Sequence, residues 1–122
     1  MNDSRREGGV RVIVAIAPRS YREALALYVH QQRPQAEVLI VAPEALAAET
    51  QRLEPHLVVF NEVPEGLRGS ALSWIEVLFE DSLDARVSVD NRSMRKIEDI
   101  GMDDLLEILD ETEELRGKER DA

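Results

Sequence analysis

Residues 10–17, VRVIVAIA, are apolar on both alternating sets: Val10, Val12, Val14 and Ile16 on one, Ile13, Ala15 and Ala17 on the other. A strand of that kind is covered on both faces and belongs in the middle of a sheet. Residues 20–23, SYRE, read as a capping box, in which the Ser20 hydroxyl and the Glu23 carboxylate satisfy free amides at a helix start. Tyr21, Ala24, Leu25, Tyr28 and Val29 follow at helical spacing and form one buried stripe ending before Pro34. Residues 37–41, EVLIV, and 56–60, HLVVF, are two further strands apolar on both sides, and Pro43 between them is placed to open a helix carrying Leu46 and Leu53. Strand, helix, strand, helix, strand at this spacing predicts βαβ crossovers and a parallel sheet.

The pattern changes after residue 61. Residues 74–80 alternate Ile75, Val77 and Phe79 against Trp74, Glu76, Leu78 and Glu80, and the next segment alternates Val87 and Val89 against Arg86, Ser88 and Asp90. Each strand therefore has one dry face and one mixed face. Residues 81–85 between them are too few for a covering helix, which favours a hairpin or a partly antiparallel edge. Asp90-Asn91, ahead of SMRKI, is another turn signal. Met102, Leu105, Leu106 and Leu109 make the stripe of a last helix, with Asp103 and Asp104 suited to its N-terminus and Gly117 to its end. That helix can cover one face of the sheet and not both.

Composition narrows the function classes. The 122 residues suffice for one domain with a real core, and scarce aromatics make that core aliphatic. Formal net charge is -10, with six arginines against three acids in residues 1–33 and eleven acids against three bases in 98–121. An acidic field of this kind repels phosphate backbones and anionic lipid, so neither nucleic acid nor membrane is an expected partner. The absence of cysteine removes disulfides, thiolate nucleophiles and cysteine-based zinc sites. The longest apolar run is too short to span a bilayer and MNDSRREGG lacks the apolar core of a signal peptide, which together imply a cytoplasmic location.

Residues 55–61, PHLVVFN, preceded by strand, helix, strand, helix, resemble the receiver domain of bacterial response regulators, where a proline-led third strand ends in the phosphoacceptor aspartate. The likeness covers about half of the chain well. It implies a phosphoryl-transfer pocket, and at its places this sequence departs from the family. Ala17 and Pro18, followed by Arg19, stand where receivers hold Mg²⁺ with acids, and Asn61 stands at the acceptor. Ser82 is a loose match for the family's fourth-strand hydroxyl. No lysine occurs at 89–91, Lys96 is too far along, and Pro64 falls three residues past the acceptor rather than four. Glu62 brings a carboxylate to the tip only by a one-residue slip, still without the acidic pair. The resemblance thus implies a receiver-like scaffold whose chemistry is lost.

Other constellations weigh less. His30 and His56 have no nucleophile at a recognisable spacing and read as structural residues. Glu80, Asp81, Asp84 and Asp90 match no calcium-loop pattern. Pro18 interrupts any glycine-rich phosphate loop after the first strand, although Arg19 beside a helix start could hold a small anion. Trp74 and Leu78 lie on the mixed face of a strand without a covering helix; either the 62–73 segment packs over them or they centre an interface.

The expectation is therefore a three-layer, flavodoxin-like α/β domain spanning 10–117, between a flexible tail at 1–9 and a charged tail at 118–122. Its sheet is expected to be mostly parallel, in strand order 2-1-3-4-5, with an abbreviated far edge that lacks the fourth helix and can end in a hairpin. The expected function is a non-catalytic regulatory or protein-interaction module that acts without phosphorylation, with no metal or cofactor and with a protein partner or a second copy bound. The alternative is a small-ligand sensor using the crevice lined by Ala17, Pro18, Arg19, Asn61 and Glu62 at the carboxyl ends of strands one and three.

Overall fold

The computed structural model describes residues 10–61, 73–79, 83–89 and 93–121. Strand β1 (Arg11–Ala15) leads to helix α1 (Arg19–Gln32), and strand β2 (Glu37–Ile40) to a 3-10 turn (Pro43–Ala45) that runs into helix α2 (Leu46–Leu53). Strands β3 (Leu57–Phe60), β4 (Ser73–Phe79), β5 (Leu83–Val89) and β6 (Ser93–Ile97) follow, and helix α3 (Met102–Asp121) closes the chain. All six strands form one sheet in the order β2-β1-β3-β4-β5-β6.

Two of the three doubly apolar segments, 10–17 and 56–60, take the inner positions that their pattern demands, whereas 37–41 forms the edge strand β2, where Ile40 is 53% exposed. Val12, Ile13, Val14 and all four residues of β3 are at most 1% exposed, because these strands lie inside the sheet and are covered on both faces. On one face Val12, Val14, Leu57, Val59, Ile75, Val77, Ala85 and Val87 pack beneath Leu25, Ala26 and Val29 of α1 and Leu105, Ile108 and Leu109 of α3. On the other, Ile13, Ala15, Val58, Phe60 and Trp74 join Leu46, with Ala45 and Leu53 against them, from the 3-10 turn and α2. The molecule is therefore layered helix, sheet, helix, with the thinner helical layer over β1 and β3.

The sheet is not the mostly parallel, five-stranded flavodoxin-like sheet that the sequence pattern suggested. β2, β1, β3 and β4 run parallel, but β4–β5 and β5–β6 pair antiparallel, with Ile75 opposite Val87 and Val87 opposite Arg95. Chain length dictates the change. Only residues 80–82 and 90–92 join these strands, whereas a parallel crossover needs a dozen residues or more. The hairpin favoured for this edge is thus present, and a second one extends it to a sixth strand.

Two local expectations are corrected. The capping box at Ser20 does not form: Pro18 is the N-cap and the helix starts at Arg19, so Ser20 sits one position inside the first turn. Glu23 instead accepts a hydrogen bond from Arg19 Nε at 2.8 Å. Gly117 does not end the last helix, which continues to Asp121. On α3 the expected stripe is deepened by Ile108 and by Thr112, which is 0% exposed. The Thr112 hydroxyl bonds the Ser73 hydroxyl at 2.7 Å and donates within its own helix to the Ile108 carbonyl at 2.8 Å. Arg33, just past α1, grips the Asp110 carboxylate of α3 with two bonds of 2.8 Å, tying the two helices together.

Candidate functional site

Asn61 follows β3 directly, where the strands of an open α/β sheet present their carboxyl ends. Its Oδ1 accepts a hydrogen bond from the Ala17 amide at 2.6 Å, and its Nδ2 donates to the Val77 carbonyl at 3.3 Å. One side chain thereby ties the tips of β1, β3 and β4. Both halves of the amide are needed, because one partner is a donor and the other an acceptor. A carboxylate at this position would satisfy Ala17 and set an anionic oxygen against a carbonyl. The tip of β3 is thus built for an amide.

The structure brings Ala17 and Asn61 together, as the sequence reading required. The Ala17–Pro18 peptide is cis, and the Pro18 carbonyl accepts the first bond of α1 from the Arg22 amide at 3.0 Å. Arg19 turns away along α1, its side chain 80% exposed and paired with Glu23, whose hydrogen bond and charge raise the arginine's pKa. Glu62 lies outside the described residues, as do Pro64 and Ser82.

Arg22 was not singled out from the sequence. Its Nη1 donates to the Ile16 carbonyl at 3.2 Å, and its Nε is buried without a hydrogen-bond partner. The signal was present: Arg22, Ala26 and Val29 share the buried side of α1, where a long cationic residue is unusual. Nearby, Ile16, Tyr21, Leu25, Val77, Ile100 and Met102 enclose a cavity of about 10 Å³, room for a single water. Such a volume does not admit a metabolite. Among the described residues, no three acidic or imidazole side chains gather to form a metal site.

Trp74 is not the exposed centre expected of an interface. It is 5% exposed, with its ring centroid 6.1 Å from that of Phe60 inside the second cluster. The Leu78 side chain lies outside the described residues, although its backbone pairs with Asp84 in β4–β5. Further out on the Trp74 face, the sheet carries charge: Arg86 lies 3.8 Å from Glu76, an ion pair without a hydrogen bond, and Lys96 lies 3.8 Å from Asp84. Glu76 is only 12% exposed there and its Oε1 is buried without a hydrogen-bond partner, so the charge sits at the margin of the covered face rather than on a fully solvated one.

At the opposite end of the strands His56 has a structural task. The Arg11 amide donates to His56 Nδ1 at 2.8 Å, and the His56 amide donates back to the Arg11 carbonyl at 2.8 Å. An accepting Nδ1 requires the neutral ring. Burial, then the charges of Arg116 and Arg11, hold its pKa down at about 4. Around the same end, Arg11 reaches the Leu53 and Glu54 carbonyls at 2.6 and 3.2 Å and the Glu37 carboxylate at 3.2 Å.

No protein-family model, curated protein or solved structure matches the chain. Among the described residues no helix is long and apolar enough to cross a membrane.

Proposed function

We propose that this protein is a non-catalytic regulatory or interaction module whose action does not depend on phosphorylation. One observation carries the reading: Asn61 spends both ends of its amide on the tips of β1 and β4, at the place where a receiver would present a free carboxylate. An amide oxygen is too weak a nucleophile to form the acyl phosphate, and Ala17 and Pro18 bring no charge for a magnesium ion. Incubation with acetyl phosphate and Mg²⁺ is expected to leave the intact mass unchanged. A stable increase by one phosphoryl group would overturn the reading.

A further inference from the structure

Among the described residues the sheet ends in two edges that no further strand pairs, and they are built differently. On its five residues β6 carries the adjacent cations Arg95 and Lys96, a device that keeps other strands from adding to an edge. On β2 the only charge is Glu37, already paired with Arg11, and Val38, Leu39 and Ile40 follow it. Ile40 is 53% exposed. The Glu37 and Val41 amides donate inward to the Val10 and Val14 carbonyls at 2.9 and 3.1 Å. By the alternation of a parallel ladder, the amides and carbonyls of Val38 and Ile40 then face outward. Beside this edge lies a groove of about 280 Å³, lined by Leu39, Val41, Ala45 and Leu53 and by the ion pair Glu49–Arg52.

We infer that the β2 edge is where two copies of this chain meet, their β2 strands pairing antiparallel about a two-fold axis through Leu39. This names the partner that the interaction reading leaves open, and it rests on that reading in this respect. A two-fold interface must be complementary to itself, and this edge is. Val38 of each copy exchanges both backbone bonds with Ile40 of the other, and Leu39 faces its own equivalent in the close, non-hydrogen-bonded pair. Pairing covers the exposed Ile40 side chain and merges the two grooves. Glu49 and Arg52 stand three residues apart on α2, so an antiparallel copy presents each to its opposite charge. The C-terminal segment discourages self-association, with eleven acids against three bases in residues 98–121, whereas residues 37–53 carry three acids and one arginine.

Sedimentation velocity over a concentration series is expected to show the 13.8 kDa chain passing to twice that mass. Ile40→Lys is expected to weaken association by at least about tenfold, with an unchanged circular dichroism spectrum because the side chain is exposed. The register is read by Leu39→Cys. The chain has no cysteine, so oxidation yields a disulfide-linked dimer, while Met94→Cys on the guarded edge stays monomeric. A monomer at every concentration overturns the inference, and the edge is then open to a different chain. Association indifferent to Ile40→Lys, or cross-linking as fast through Met94→Cys, overturns it equally. None of these results touches the phosphorylation-independent reading, which fails only by forming an adduct.

Discussion

Asn61 joins neighbouring strands through the two halves of one side-chain amide. Its amide is a bracket between Ala17 and Val77, the oxygen accepting and the nitrogen donating. Asn61→Asp is therefore expected to destabilise the fold by about 1–3 kcal/mol, since it leaves the Val77 carbonyl without its donor and opposed by charge. Urea unfolding at neutral pH measures the loss. Relative to the parent at the same pH the penalty shrinks in acid, where a protonated carboxyl regains a donor; a loss that stays constant with pH would remove the account. The same variant puts a carboxylate at the tip of β3 and, on the proposed reading, is still expected to take no phosphoryl group, because Ala17 and Pro18 bring no charge to hold a metal. Trp74 taught the reverse lesson. Alternation placed it correctly on the second face, but whether that face is wet depends on Phe60 and the cluster around Leu46, which lie far along the chain.

At the level of elements, the hydrophobic period located the strands and helices, and linker length decided how they pair. The short connections 80–82 and 90–92 force the antiparallel turns, and local reading saw the first of these as well as the Asp90-Asn91 signal. It failed at helix ends. Ser20 through Glu23 fits a capping pattern, yet the extended backbone at Pro18 starts the helix two residues early and pairs Glu23 with Arg19. The register of α3 on the sheet was likewise invisible, since the Thr112–Ser73 bond joins residues 39 positions apart. Thr112→Val keeps the shape and strands the Ser73 hydroxyl in the core. It is expected to cost about 1–2 kcal/mol, and Ser73→Ala in the same background to recover part of it. A double-mutant cycle with zero coupling would show that the bond does not dock the helix.

For the whole molecule, the two ends of the parallel sheet are held by side chains of opposite titration behaviour. Asn61 at one end does not titrate, whereas His56 at the other must stay neutral to accept from Arg11. Its pKa is about 4 in the folded chain against an ordinary 6.5, so the unfolded chain takes up the proton first as pH falls. The His56 contribution is complete above pH 6.5 and is lost progressively down to about 4. Allowing for its partial exposure, that loss is about 1–2 kcal/mol. His56→Asn keeps an acceptor near the Nδ1 position and removes the titration, so urea midpoints between those pH values should converge on the parent's as pH falls. Asp110, whose pKa Arg33 lowers through its hydrogen bonds, loses stability in the same direction in both proteins and cancels from the comparison. Parallel midpoint curves for parent and variant would exclude His56 as the titrating group. The sequence by itself determined β1 and β3 as strands buried on both faces, the helical stripes, the antiparallel far edge and the absence of an acidic pair beside Asn61, because each follows from local period, linker length and residue type. Only the tertiary structure decided that Trp74 is covered, that Asn61 is a tie and that Thr112 docks on Ser73. Those outcomes depend on which distant segments become neighbours, and a local pattern carries no record of that.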